Sequence, residues 1–126
     1  MRIDHVAVWV KDLEIMKNFY ERYFAVSSSK LYQNKKTGFK SYFLKFDNNS
    51  RIEIMSRDDI FKEKSENLLG YAHISISLGT KDKVDQYTEI FRADGYKIVS
   101  EPRVTGDGYY ESVICDPENN LIELTI

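Results

Sequence analysis

One strand pattern is written twice in this chain, and the duplication limits the fold more than any other feature. Residues Ile3 to Val10 read Ile-Asp-His-Val-Ala-Val-Trp-Val, and residues Tyr71 to Leu78 read Tyr-Ala-His-Ile-Ser-Ile-Ser-Leu. Both alternate with period two, the signature of a strand with one face buried. Val6, Val8 and Val10, like Ile74, Ile76 and Leu78, face a covering helix. His5, Ala7 and Trp9, like His73, Ser75 and Ser77, face the other way. Two later strands repeat in the same fashion. Arg51 to Met55 and Leu121 to Thr125 each place a glutamate, Glu53 or Glu123, between two aliphatic residues. The His-to-Glu spacing is nearly the same in both copies. Each copy therefore delivers one histidine and one glutamate to the face away from the helix.

Between these strands the order of elements also repeats. Asp12 is a good N-cap for a helix over Leu13 to Phe24, with Leu13, Met16, Phe19 or Tyr20, and Tyr23 on the inward face. Val26 to Tyr32 reads as a short strand, and Asn34 to Gly38 as a turn. Ser41 to Phe46 reads as a strand, joined through a hairpin turn at Asp47 to Ser50 to the Glu53 strand. In the second copy Thr80 caps a helix over Lys81 to Ala93, with Val84, Tyr87, Ile90 and Phe91 inward and Gly95 closing it. Tyr96 to Ser100 reads as a strand, Pro102 to Tyr109 as an irregular loop, and Tyr110 to Cys115 as a strand. Asp116 to Asn120 turns the chain into the Glu123 strand.

The expected fold is α+β. Two β-α-β-β-β modules form a curved, cup-shaped mixed sheet, with the helices on its convex face and the four ligand-type residues on the concave side. Residues 1–126 make one domain: module one at 1–58, a joint at 59–69, and module two at 70–126. Phe61, Leu68 and Leu69 are expected to anchor the joint, where a short helix would fit.

Composition excludes several classes. A chain of 126 residues with 42% hydrophobic and 30% charged residues is an ordinary globular domain. A net charge of -2 gives no electrostatic case for nucleic acid. The apolar runs are far too short to span a membrane, and Arg2 and Asp4 interrupt any signal peptide. Cys115, the only cysteine, excludes an intrachain disulfide, suits a cytoplasmic location, and reads as an inert buried thiol.

Two imidazoles and two carboxylates at equivalent places of a repeat suit one divalent transition metal with room for one or two waters. Ni, Co, Zn, Mn and Fe(II) all accept such ligands. The expected metal ligands are His5, Glu53, His73 and Glu123. Trp9, Arg51, Tyr71, Arg103, Asp107 and Tyr109 are expected to contact substrate; Arg51 shares the face of Glu53, and the loop residues lie in irregular, glycine-rich chain.

The module order, Val10-Lys11-Asp12-Leu13 followed by Phe19-Tyr20, and Asp116-Pro117-Glu118-Asn119-Asn120 before Ile122-Glu123-Leu124 resemble the vicinal oxygen chelate superfamily. That superfamily includes glyoxalase I, dioxygenases and bleomycin-binding proteins, and the resemblance covers essentially the whole chain. Ligands in the order His, Glu, His, Glu are most similar to bacterial glyoxalase I. The resemblance implies a metal-dependent lyase or isomerase acting on a small carbonyl or thiol-hemithioacetal through a metal-bound enediolate. Glu53 or Glu123 would be the catalytic base, and the protein a homodimer with small-molecule substrates. A thiol such as glutathione would be the co-substrate, although Trp9 stands where bacterial glyoxalase I has an arginine that anchors the glutathione carboxylate. Alternatives are a dioxygenase or thiol transferase of the same superfamily, or a metal-free drug-binding protein.

Overall fold

The computed structural model describes residues 3–62, 69–106 and 108–126. The chain divides into two compact units, residues 1–65 and 66–126.

In the first unit the elements are β1 (Val6–Trp9), α1 (Leu13–Phe24), β2 (Ser27–Ser28), β3 (Tyr32–Gln33), β4 (Lys40–Lys45) and β5 (Arg51–Ser56). The sheet order is β1-β5-β4-β2, with β3 also on β4. Parallel strands need a long connection, and β1 and β5 are parallel partners that open and close the unit. The Asp12 carboxylate accepts from the backbone N–H groups of Glu14 and Ile15, at 3.0 and 2.9 Å, and so starts α1 where the sequence places it. Ala25, in a left-handed conformation at φ 50°, ends it. Leu13, Met16, Phe19, Tyr20 and Tyr23 are the buried face of α1, packed over Leu44, Ile52 and Ile54. Ile54 is fully buried, so truncating it to alanine would cost about 2–5 kcal/mol. The Val26–Tyr32 segment forms two two-residue strands rather than one, each paired to β4.

In the second unit the elements are β6 (His73–Ser77), α2 (Lys81–Ala93), β7 (Ile98–Val104), β8 (Tyr110–Cys115) and β9 (Leu121–Thr125). The sheet order is β6-β9-β8-β7, again with a parallel pair, β6 and β9, at one edge. The Thr80 hydroxyl caps α2, and Gly95 follows it at φ 84°. Val84, Thr88 and Phe91 are the buried residues of α2, whereas Ile90, expected inward, is exposed. Thr88 spends its hydroxyl inside the core: Oγ1 donates to the Val84 carbonyl at 2.7 Å and lies 2.7 Å from Ser112 Oγ. At the β8–β9 turn the buried Asp116 carboxylate accepts from Glu118 N, Asn120 N and Asn120 Nδ2, each at 2.9 Å. Cys115 is buried and unpaired, and burial pushes its thiol up, away from the reactive thiolate.

The α+β class and the duplicated module are therefore present, with one mixed sheet in each unit; the second unit is β-α-β-β-β, and the first carries one strand more because the segment after α1 is split into β2 and β3. In the joint, Phe61 and Leu69 are exposed and do not anchor it, while Leu68 and the suggested short helix lie outside the described residues. No helix among the described residues is long and apolar enough to cross a membrane.

Candidate functional site

Strand register brings each histidine to its glutamate. In the first unit Ala7 pairs with Glu53, and His5 precedes Ala7 by two residues on the same face. In the second unit Ser75 pairs with Glu123, and His73 precedes Ser75 by two. His5 Nε2 lies 3.7 Å from Glu53 Oε2, and His73 Nε2 lies 3.5 Å from Glu123 Oε2. Both carboxylates are largely shielded, with 15% and 17% of their side chains exposed, while the two imidazoles are more open.

These separations are long for hydrogen bonds. They do match the gap between two neighbouring donor atoms that each stand about 2.0–2.2 Å from one ion. Each pair combines one imidazole nitrogen with one carboxylate oxygen, a donor set that suits a divalent transition metal. Among the described residues no group of three or more His, Cys, Asp and Glu side chains is gathered closely enough to hold an ion. The arrangement in each unit is thus a two-atom bite, half of the expected quartet.

The two bites are braced differently. His5 Nδ1 lies 3.0 Å from Asp4 Oδ2, and the Arg51 guanidinium donates to the same oxygen. The His5 hydrogen bond first, and Arg51 second, hold the Asp4 carboxyl below its usual range. Phe43, the cross-strand partner of Glu53, supports both neighbours. Its ring meets His5 edge-on at 5.2 Å, and the Arg51 guanidinium lies over it at 4.7 Å. In the second unit it is the glutamate that is tethered, since Ser75 Oγ donates to Glu123 Oε1 at 2.6 Å.

The residues expected to touch substrate differ in their surroundings. Trp9 lies on the His5 face of β1, 40% exposed, with Phe39 edge-on at 6.0 Å and the Arg57 guanidinium 5.5 Å from its ring. Arg51 is directed to Asp4 and Phe43. Arg103 lies opposite Glu111 across β7 and β8 and is bonded to it at 3.2 Å. The register places Glu111, Val113 and Glu123 on one face, so Arg103 shares the face of the second bite. Tyr71, two residues before His73, is exposed. Tyr109 is exposed too, in a loop closed by hydrogen bonds to Thr105, and Asp107 lies outside the described residues.

Asp4, Phe43, Ser75 and Glu111 were not anticipated. Ser75 had a signal in the repeat, since it aligns with Ala7 but carries a hydroxyl. Phe43 and Glu111 depend on cross-strand register, which periodicity alone does not supply.

The sequence profile of the Glyoxalase/Bleomycin resistance protein/Dioxygenase superfamily matches residues 2–124. An uncharacterized Bacillus subtilis (strain 168) protein, YqjT, is 26% identical over 124 residues, covering 95% of this chain and 94% of its own. The crystal structure of a glyoxalase family protein from Enterococcus faecalis superposes with a TM-score of 0.82 at 20% identity, over 99% of this chain and 97% of that one. Glyoxalase I from Zea mays superposes with a TM-score of 0.80 at 22% identity, over 98% of this chain but only 44% of the longer maize chain. With the profile spanning nearly every residue and the duplicated modules in place, the chain belongs to the Glyoxalase/Bleomycin resistance protein/Dioxygenase superfamily.

Proposed function

We propose that this protein is a metal-dependent lyase or isomerase of the glyoxalase I type, acting on a small carbonyl compound or a thiol hemithioacetal. The observation that carries the reading is the matched pair of bites, His5 with Glu53 and His73 with Glu123, at equivalent register positions of two repeated units. His5, Glu53, His73 and Glu123 would together hold one divalent transition ion, either within one chain or between two. Such an ion, when bound, supplies Lewis-acid stabilisation of the negative charge that develops on oxygen beside a breaking C–H bond.

The chain's own groups then handle the proton. A glutamate carboxylate, Glu53 or Glu123, takes a proton from the carbon beside the carbonyl, and the C–H electron pair moves toward the carbonyl oxygen. The same carboxyl returns the proton to the former carbonyl carbon; the hydroxyl of the first carbon gives up its proton to the other oxygen and becomes the new carbonyl, which completes the isomerisation without any redox partner. Trp9, Arg51, Tyr71, Arg103, Asp107 and Tyr109 are the residues proposed to line the substrate. A thiol such as glutathione is the proposed co-substrate, and the cytoplasm the proposed location. Pairing of two chains would cover the edge strands β1 and β6. Light scattering of the metal-loaded protein should then report a dimer; a monomer would exclude a site shared between chains.

The test begins with elemental analysis of protein purified without chelator, followed by assay on the hemithioacetals of methylglyoxal with several thiols. About one divalent ion per quartet is expected, lost in His5→Ala and in His73→Ala. Full metal occupancy in either variant would show that the quartet is not the site.

A further inference from the structure

Three positions around the first bite differ in kind from their counterparts in the second. Asp4 precedes His5, whereas Ala72 precedes His73. Arg51 lies two residues before Glu53, whereas Leu121 lies two before Glu123. Phe43 is the cross-strand partner of Glu53, whereas Val113 is that of Glu123. In the first unit these side chains link to His5 in a closed circuit: the Nδ1 contact to Asp4 is 3.0 Å, Arg51 donates to the same carboxylate oxygen, and both His5 and Arg51 rest on the Phe43 ring.

An ionised carboxylate can only accept hydrogen bonds. Nδ1 of a neutral His5 must therefore carry the proton, which leaves the lone pair on Nε2, the atom 3.7 Å from Glu53. Arg51 keeps Asp4 from turning away, and the edge-on Phe43 contact limits rotation of the imidazole. Ala72, Leu121 and Val113 have no hydrogen-bonding or aromatic group with which to do the same for His73.

We infer that Asp4, held by Arg51, is a positioning residue that fixes His5 as an Nε2 donor before any ion arrives, so that the two halves of the site are unequally preorganised. The use of that donor rests on the metal-dependent function proposed above, but the orientation itself is a property of the metal-free chain. Outer partners of this kind set the tautomer of a ligating histidine and raise its basicity as a ligand.

The chain has only two histidines, so two-bond ¹⁵N–¹H correlation spectra of the imidazoles can be read directly. They should be recorded on metal-free full-length protein, at a pH where both rings are neutral. The signal that disappears in His5→Ala should show protonation at Nδ1 alone, and the His73 signal should show the mixed or Nε2-protonated pattern. Asp4→Ala and Arg51→Met should move only the His5 pattern towards the mixed one, with backbone amide spectra confirming that the fold is intact. Asp4→Ala should also weaken Zn²⁺ or Co²⁺ binding by roughly 10–100-fold. An Nδ1-protonated His5 that persists in Asp4→Ala would overturn the assignment, as would identical patterns for both rings in the wild type. A wild-type protein that binds neither ion would sink the proposed function alone, because the tautomer spectra are taken without metal and decide the role of Asp4 either way.

Discussion

Ser75 Oγ donates a 2.6 Å hydrogen bond to Glu123 Oε1, while the matching position opposite Glu53 is occupied by Ala7, which has no hydroxyl to offer. One carboxylate of the proposed quartet is thereby held by its neighbouring strand and the other is not. Replacing Ser75 by alanine should weaken Zn²⁺ or Co²⁺ binding by about tenfold or more, the lower end of what outer partners contribute. Competition with a chromogenic chelator measures this, and an unchanged affinity would mean the tether plays no part in binding.

A carboxamide keeps an oxygen and the shape of a glutamate but cannot accept the proton. Glu53→Gln or Glu123→Gln should therefore retain much of the metal yet lose at least ~100-fold in turnover, the lower end of a general base's contribution. Incorporation of solvent deuterium at the new C–H bond would trace the same proton. Wild-type rates in both single variants and in the double variant would exclude both glutamates as the base.

In the core of the second unit, Thr88→Val removes the hydroxyl 2.7 Å from Ser112 Oγ and leaves that buried group without its partner. The expected loss is about 1–3 kcal/mol in denaturant unfolding. Adding Ser112→Ala should recover part of it, since a buried pair removed together leaves no orphaned group. Simple additivity of the two single losses would argue against the pair being coupled.

Burial, above all, raises the Asp116 carboxyl above the ordinary aspartate range, against three N–H donors that pull it down. A folded-state value above the unfolded one means the folded chain holds this proton more tightly. The contribution to stability is then fully present below the ordinary value and is lost as pH rises through the raised one. Denaturant unfolding across the acid range should show wild type declining relative to Asp116→Asn over that window. A difference that stays constant with pH would refute it.

Both helices could be read from the sequence residue for residue, because Asp12 and Thr80 are side-chain caps and the apolar spacing in each helix is regular. The inward face of α2 was read less well. Thr88 takes the buried place beside Phe91 because Ser112 satisfies its hydroxyl, and Ile90 turns outward. Strand β7 runs on to Val104, through a stretch that reads as irregular, since an edge strand can hold Pro102 without losing a ladder hydrogen bond. The two His–Glu pairs were visible because period two and the repeat fix their face. The braces on them were not, since Asp4, Arg51 and Phe43 meet only through contacts between strands distant in the chain.

The parallel pairing of β1 with β5, and of β6 with β9, has a kinetic consequence. In each unit the histidine comes from the opening strand and the glutamate from the closing one, so neither bite exists until the last strand has docked beside the first. Contacts of such long sequence separation are assembled late, after the loop-closure entropy of everything between them has been overcome. An ion that needs both atoms of a bite would therefore select chains whose unit is complete, and the rate at which metal affinity appears during refolding would time the closing strand itself.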